Sequence, residues 1–216
     1  MPPLPQCIIF DCDGVLVDSE AITFGVLGTL AAEQGLPMSY DELEDNFLGK
    51  SLEDVMAYIS RHSGRTLPDN FEERFRALTF EKFKTDIRPV AGIKELLAKI
   101  TAPFCVASSG PPHKIRLNLG LTGLAEYFAD NIFSCYELGK WKPDPAIFLH
   151  AAATMGFAPA DCVVVEDSPA GVRAAVAGGF RVFALAHQKN AAALAAEGGE
   201  VIFSLDELHG VITPTA

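Results

Sequence analysis

Five short runs of β-type apolar residues recur along this 216-residue chain, and segments with helical spacing separate the later runs. One such segment carries Ile93, Leu96, Leu97 and Ile100 on a single helical face. Alternation of strand and helix predicts an α/β fold, with a parallel sheet covered by helices on both faces. The five runs are Cys7–Phe10, Phe104–Ser108, Asn131–Cys135, Cys162–Val165 and Arg181–Leu185, and Val201–Phe203 is a candidate sixth strand.

The interval from Ser19 to Asp86 interrupts this alternation, because it holds several helical patterns and no clear strand. Ser39, with Glu42 three residues later, forms the sequence signature of a capping box at a helix start. We therefore expect residues 1–18 and 87–216 to form one α/β domain, with residues 19–86 inserted as a helical domain.

Composition limits the partners of the chain. A formal charge of -11 and a pI near 4.8 make a nucleic-acid backbone or an anionic membrane surface an unfavourable partner, because like charges repel. The five cysteines lie mostly in apolar runs, which is typical of buried thiols in a reducing compartment. No leader or membrane-span pattern is present, so we expect a cytoplasmic monomer that acts on a small molecule.

Polar residues follow four of the apolar runs, at the point where each predicted strand ends. Ligands bind parallel α/β sheets outside the carboxyl ends of the strands, so these residues are expected to converge. In chain order they are Asp11 and Asp13, then Ser108 to Gly110, then Lys142, then Glu166 and Asp167.

Four carboxylates at one sheet edge repel one another unless a cation lies between them. Oxygen ligands favour Mg²⁺, whereas zinc would need His or Cys ligands that are absent from this group. Lys142 adds a positive charge, and Ser108 with Gly110 adds a hydroxyl and backbone donors. Together they predict a receptor for a phosphoryl group.

The segment from Phe10 to Ser19 resembles motif one of the haloacid dehalogenase superfamily. Ser108 matches the motif-two hydroxyl, Lys142 the motif-three lysine, and Glu166-Asp167-Ser168 the motif-four acids. The insert after motif one is similar to the α-helical cap of the phosphoglucomutase-like and phosphoglycolate-phosphatase-like branch. This resemblance implies a Rossmann-like core with an inserted cap domain.

The resemblance also implies a mechanism and a set of site residues. Asp11 would be the nucleophile that accepts the phosphoryl group, and Asp13 the general acid and base. Mg²⁺ would be held by Asp11, the main-chain carbonyl of Asp13 and Asp167, with Glu166 acting through water. The implied substrate contacts are Ser108, Ser109, Gly110 and Lys142, with Lys50 and Ser51 in the Gly49-Lys50-Ser51 loop of the cap.

Three segments resemble bacterial 6-phosphogluconate phosphatases: residues 100–103, residues 109–111 with Lys114, and residues 141–145. The expected substrate is therefore a sugar phosphate or a sugar-acid phosphate such as 6-phosphogluconate. Phosphoglycolate is the next alternative. A β-phosphoglucomutase-type activity is disfavoured, because Leu52 stands where the mutases have an arginine and Thr23 where they have a histidine.

A receiver-like phospho-sensing domain uses similar residues on a similar sheet. In receivers the acidic pair comes on the first strand and the phosphoryl acceptor later. Here the candidate acceptor Asp11 comes first and the Glu166-Asp167 pair last, which disfavours this alternative.

Overall fold

The chain forms two compact units in the computed structural model, which describes residues 4–48, 50–187 and 189–212. The core unit consists of the segments Met1–Asp18 and Arg88–Ala216, and the helical unit is Ser19–Ile87. Gly49, at the start of the predicted Lys50 loop, lies outside the described residues.

The described part of the core unit contains eight strands: β1 (Cys7–Phe10), β2 (Val17–Asp18), β3 (Arg88–Pro89), β4 (Phe104–Ser108), β5 (Ile132–Ser134), β6 (Cys162–Glu166), β7 (Arg181–Leu185) and β8 (Glu200–Ile202). Six of them form one sheet with the order β5-β4-β1-β6-β7-β8, in which every neighbouring pair is parallel. The two-residue strands β2 and β3 pair separately and antiparallel.

The predicted α/β fold is confirmed, and the first, second and fifth predicted runs match β1, β4 and β7 residue for residue. The third prediction was one residue too long at each end, because Cys135 begins the next helix instead of extending β5. The sixth strand spans Glu200–Ile202 rather than Val201–Phe203, since its pairing with β7 starts at Glu200.

Strand order reverses at β1, which pairs with β4 on one side and β6 on the other. Connections leave such a reversal point toward opposite faces of the sheet, so a crevice opens at the carboxyl ends of the strands. All four residues of β1 are fully buried, as expected for a central strand covered on both faces. The crevice therefore lies beside Asp11, the residue that follows β1.

Helices of the core unit separate the strands, and their ends follow local sequence signals. Gly123 ends one of them in the left-handed region, with φ of 70°. No helix in the described ranges has the length and apolar character needed to cross a bilayer. The helices are α5 (Ile93–Leu97), α6 (Pro112–Thr122), α7 (Ala125–Phe128), α8 (Cys135–Leu138), α9 (Ala146–Met155), α10 (Pro169–Ala177), α11 (Ala191–Ala196) and α12 (Leu205–Ile212), with a 3₁₀ turn at Pro159–Asp161.

The helical unit has its own apolar core, which includes Leu30, Ile59 and Phe71. The predicted capping box is present: Ser39 accepts a hydrogen bond from the Glu42 backbone, and the Glu42 carboxylate accepts one from the Ser39 backbone. Its helices are α1 (Glu20–Glu33), α2 (Tyr40–Phe47), α3 (Leu52–Ser63) and α4 (Phe71–Asp86).

All five cysteines are buried and free of disulfides, as their positions in apolar runs predicted. Burial raises the pKa of the Cys12 thiol well above its ordinary value. Cys12 stands next to Asp11, but a buried thiol that stays protonated is a poor nucleophile.

Candidate active site

Asp11 lies at the carboxyl end of the central strand, where the sheet fixes its backbone. Its N–H donates to the Val165 carbonyl at 2.9 Å, which continues the β1–β6 ladder by one residue beyond the strand. The residue is 8% exposed, so its carboxylate is almost withdrawn from bulk water. Asp11 is therefore anchored at the edge of the sheet where the crevice lies.

Lys142 connects three strand ends through its ammonium group. Its Nζ donates to Asp11 Oδ1 at 2.5 Å, to Glu166 Oε1 at 2.7 Å and to the Ala107 carbonyl at 3.1 Å. The lysine side chain is only 5% exposed. All three donors of the ammonium group are thus directed into the site.

Glu166 is held by hydrogen bonds on both carboxylate oxygens. Oε1 accepts from Lys142, and Oε2 accepts from the Asp167 backbone N–H at 2.9 Å, the Ser168 N–H at 2.8 Å and the Ser168 hydroxyl at 2.9 Å. Ser168 also caps α10, because its Oγ accepts from the Gly171 N–H. Glu166 is 1% exposed, so this network satisfies a carboxylate that would otherwise be costly to bury.

Two glycines let backbone approach the acidic side chains closely. A Cβ at Gly14 would lie 1.8 Å from Asp167 Oδ2, and Gly14 has φ of 80°. A Cβ at Gly171 would lie 1.8 Å from Glu166 Oε1. Any side chain at either position would displace the neighbouring carboxylate, so both acids are placed by the absence of a Cβ.

A cation site is indicated by three of the acids. Asp11, Glu166 and Asp167 each offer a ligand oxygen, and these atoms all lie within 4.8 Å of one another. The four acids and two lysines around the site leave an excess of two negative charges when ionised, which one divalent cation would balance. These groups are Asp11, Asp13, Glu166, Asp167, Lys114 and Lys142.

Charge and burial act in opposite directions on the central pair. Burial raises the pKa of Asp11 to about 7, although the positive charge of Lys142 opposes that rise. Burial lowers the pKa of Lys142, but the charges of Asp11 and Glu166 outweigh it and hold this pKa above its ordinary value. Lys142 is therefore a permanent cation beside a carboxylate with unusually strong proton affinity.

The loop after β4 is ordered by its own hydrogen bonds. The Gly110 N–H donates to Ser108 Oγ at 3.1 Å, and the Ser134 hydroxyl donates to the Gly110 carbonyl at 2.6 Å. Ser108 is 2% exposed, and because its Oγ accepts from Gly110, its O–H remains a donor for a ligand. The Ser109 hydroxyl lies 3.9 Å from Cys135 Sγ.

Asp13 contacts Lys114, a residue that the sequence motifs did not identify as a partner of Asp13. Lys114 Nζ donates to Asp13 Oδ2 at 2.8 Å. A cation in the first turn of α6 is unfavourable to the helix dipole, and that placement was the sequence signal for a nearby anion. Ser134 and Asn190, whose side-chain amide donates to the Asp167 carbonyl at 3.3 Å, carried no such signal.

Lys50 and Ser51 belong to the helical unit. Ser51 caps α3, because its Oγ accepts from the Asp54 N–H at 3.1 Å and donates to the Asp54 carboxylate at 2.7 Å. Lys50 has an exposed side chain, and its backbone N–H donates to the Phe47 carbonyl. The predicted site residues of the core unit lie around the reversal point of the sheet.

Comparison with known proteins supplies the family. Residues 5–179 match the family model of haloacid dehalogenase-like hydrolases. The chain is also 36% identical over 179 residues to 6-phosphogluconate phosphatase of Escherichia coli K12, covering 82% of this chain and 81% of that protein. The chain belongs to the haloacid dehalogenase-like hydrolase family.

Solved structures agree with this assignment. A haloacid dehalogenase-like protein of unknown function from Agrobacterium tumefaciens C58 is 36% identical, with a TM-score of 0.90 and coverage of 96% of this chain and 97% of that one. A haloacid dehalogenase-family hydrolase from Deinococcus radiodurans R1 with bound phosphate and sodium is 29% identical, with a TM-score of 0.85 and full coverage of both chains. The phosphatase relatives support phosphoric monoester hydrolysis as the reaction class of this hydrolase.

Proposed function

We propose that this hydrolase is a Mg²⁺-dependent phosphatase that cleaves a small phosphorylated sugar or sugar acid through a phosphoryl group carried on Asp11. The observation that carries the proposal is the contact of the buried Asp11 carboxylate with Lys142, beside the Glu166-Asp167 acids at the reversal point of the sheet. This arrangement brings a nucleophile, a fixed cation and a set of oxygen ligands to one edge.

In the first half-reaction, an Asp11 oxygen attacks phosphorus and forms a new P–O bond. The bond from phosphorus to the substrate oxygen breaks, and its electron pair goes to that oxygen. Asp13 donates a proton to the departing oxygen, so the product leaves as a neutral alcohol. Asp13 is then a carboxylate.

In the second half-reaction, a water molecule attacks the phosphorus of the aspartyl phosphate. Asp13 takes one proton from that water and returns to its starting state. The bond between phosphorus and Asp11 breaks, its electron pair returns to the Asp11 carboxylate, and inorganic phosphate is released. One water is consumed for each ester cleaved.

Fixed donors stabilise the phosphoryl oxygens during both steps. The Ser108 hydroxyl, the backbone of Ser109 and Gly110, and the Lys142 ammonium group are the proposed contacts. The Ser108–Gly110 hydrogen bond and the Ser134 hydroxyl hold this loop in place before substrate arrives. The Ser108 hydroxyl keeps its proton free for the phosphoryl group. Lys142 acts through its charge, since its three donors already contact Asp11, Glu166 and Ala107.

Asp11, the main-chain carbonyl of Asp13 and Asp167 are the proposed Mg²⁺ ligands, with Glu166 acting through water. Hard carboxylate and carbonyl oxygens with spare water positions suit Mg²⁺. When bound, the ion would supply charge screening between the phosphoryl group and the acids. Lys142 and the N-terminal turn of α10 orient Glu166 independently of the ion.

The substrate class is proposed from the resemblance to the Escherichia coli 6-phosphogluconate phosphatase and from the local charge. The chain as a whole is acidic, yet Lys114 and Lys142 place two cations beside Asp13 and Asp11. Lys50 and Ser51 are the proposed selective contacts of the helical unit. Phosphoglycolate is the second candidate substrate.

A phosphate-release screen tests this proposal. The panel is 6-phosphogluconate, glucose 6-phosphate, phosphoglycolate, and β-glucose 1-phosphate with a trace of glucose 1,6-bisphosphate. We expect phosphate release with Mg²⁺, fastest on a sugar or sugar-acid phosphate, and none after EDTA treatment until Mg²⁺ is restored. Activity that survives chelation would overturn the metal dependence, and isomerisation of glucose 1-phosphate without phosphate release would reveal a mutase.

A further inference from the structure

Lys114 reaches from α6 to the candidate acid and base. Its Nζ lies 2.8 Å from Asp13 Oδ2, across 101 residues of sequence, and the two side chains are 27% and 32% exposed. The lysine stem passes the loop after β4: a Cβ at Gly110 would lie 3.7 Å from Lys114 Cδ. One side chain thus runs along the proposed phosphoryl-binding loop and ends on Asp13.

The two oxygens of Asp13 differ in their surroundings. Oδ2 is bonded to Lys114, whereas Oδ1 is buried and accepts no hydrogen bond from the residues at 4–48, 50–187 and 189–212. A carboxylate fixed through one oxygen can rotate little about its terminal bond. The hydrogen bond from Lys114 therefore fixes the orientation of this carboxyl group.

Lys114 keeps its charge in this position. Burial lowers the pKa of Lys114, but Asp13, with contributions from Cys12 and Asp11, outweighs the effect of burial, so the pKa lies above its ordinary value. A cation at the N-terminal turn of α6 is unfavourable to the helix dipole, and this ion pair offsets that cost. The stability of α6 therefore does not explain a lysine at position 114, whereas the contact with Asp13 does.

We propose that Lys114 is a positioning residue, which holds Asp13 by Oδ2 and so orients the carboxyl group for proton exchange with the leaving oxygen of the substrate. This inference rests on the proposed acid and base role of Asp13. Loss of the tether would leave Asp13 able to exchange protons but misoriented, and misplacement of a catalytic group by about 1 Å costs as much as 10²-fold in rate.

The leaving group provides the readout. An alkyl phosphate needs a proton on its departing oxygen, whereas p-nitrophenolate is a weak base that departs without one. Because kcat/KM reports only the steps through departure of the leaving group, we expect Lys114→Met to lower kcat/KM about 10-fold for an alkyl phosphate. For p-nitrophenyl phosphate the change should be less than about threefold.

Three comparison variants make the test specific. Arg116→Met removes an exposed cation from the same helix and should leave both values unchanged. Asp13→Asn should lower kcat/KM for the alkyl phosphate by about 10²-fold or more, and adding Lys114→Met to it should cost nothing further. Lys114→Arg should recover part of the loss, since it restores a donor to Asp13.

The outcomes distinguish the positioning role of Lys114 from the acid and base role of Asp13. If Asp13→Asn is slow while Lys114→Met equals the parent enzyme, only the positioning inference is overturned. If Asp13→Asn itself retains alkyl phosphate turnover, the proposed acid and base role fails. A loss confined to substrates that carry a carboxylate, and absent for phosphates of uncharged sugars, would also overturn the inference. It would make Lys114 a substrate-binding cation instead.

Discussion

Replacing Lys142 with methionine removes the cation that contacts both Asp11 and Glu166 while keeping an apolar stem of similar length. The ammonium group lies 2.5 Å from Asp11 Oδ1 and 2.7 Å from Glu166 Oε1, and the lysine side chain is 5% exposed. Both carboxylates would stay buried after the substitution. Their charges would then repel each other with no compensating partner.

The expected loss of stability follows from this burial. Removing one partner of a buried ion pair costs about 3–5 kcal/mol. For a chain of this length each kcal/mol lowers the unfolding midpoint by about 2–4 °C, so the variant should unfold about 6–20 °C below the parent. Burial raises the pKa of Asp11 to about 7 in the parent, and removing the opposing charge of Lys142 raises that pKa further. The loss should therefore be larger at about pH 8, where only the parent has an ionised Asp11 paired with a cation, than near pH 6, where Asp11 is largely protonated in both proteins.

Thermal unfolding followed by circular dichroism, in EDTA, measures this loss. Lys140→Met is the matched control, because the Lys140–Asp144 pair is 3.5 Å long and exposed, and such pairs contribute about 0–1 kcal/mol. Adding Asp11→Asn to Lys142→Met should restore part of the midpoint. A Lys142→Met midpoint within about 2 °C of the Lys140→Met value at both pH values would refute the reasoning.

Three further predictions concern the metal site and the phosphoryl loop. Gly14→Ala would place a Cβ 1.8 Å from Asp167 Oδ2, so we expect calorimetry to show at least about 10-fold weaker Mg²⁺ binding; parental affinity would contradict the proposed site. Burial raises the pKa of Asp11 to about 7, so protons compete with Mg²⁺ below that pH, and calorimetric affinity should fall up to about 10-fold per pH unit. Equal affinity on both sides of that pH would rule out Asp11 as a titrating ligand. Ser108→Ala should lower kcat/KM by about 10²-fold in a phosphate-release assay, and an unchanged value would remove Ser108 from the phosphoryl receptor.

The strands of the core sheet were predictable because most are short apolar runs, and polar residues stand at the ends of β1, β4 and β6. Cys7–Phe10 was predicted directly as a strand, because a short apolar run followed by a polar residue such as Asp11 is typical of a buried strand in an α/β chain. Convergence of the motif residues followed from the geometry of parallel sheets. By contrast, β2 and β3 have two residues each, too few for any periodicity to identify.

Long-range partners of the site residues were less accessible to prediction. Lys114 lies 101 residues from Asp13. Its place in the first turn of α6 indicates a nearby anion, but no local pattern identifies Asp13 as that anion. The Ser134 hydroxyl reaches Gly110 only because β5 lies beside β4 in the sheet. Likewise, the hydrogen bonds on Glu166 depend on the Lys142 side chain reaching β6 and on the exact start of α10.

Trapping the phosphoryl group tests the central claim most directly. The Asp13→Asn variant, mixed with Mg²⁺ and the best substrate of the panel and quenched in acid, should gain the mass of one phosphoryl group. Borohydride reduction and peptide sequencing should place that group on Asp11, and Asp11→Asn treated in the same way should gain none. A phosphoryl group on another residue, or phosphate release by Asp11→Asn at the parental rate, would contradict the account.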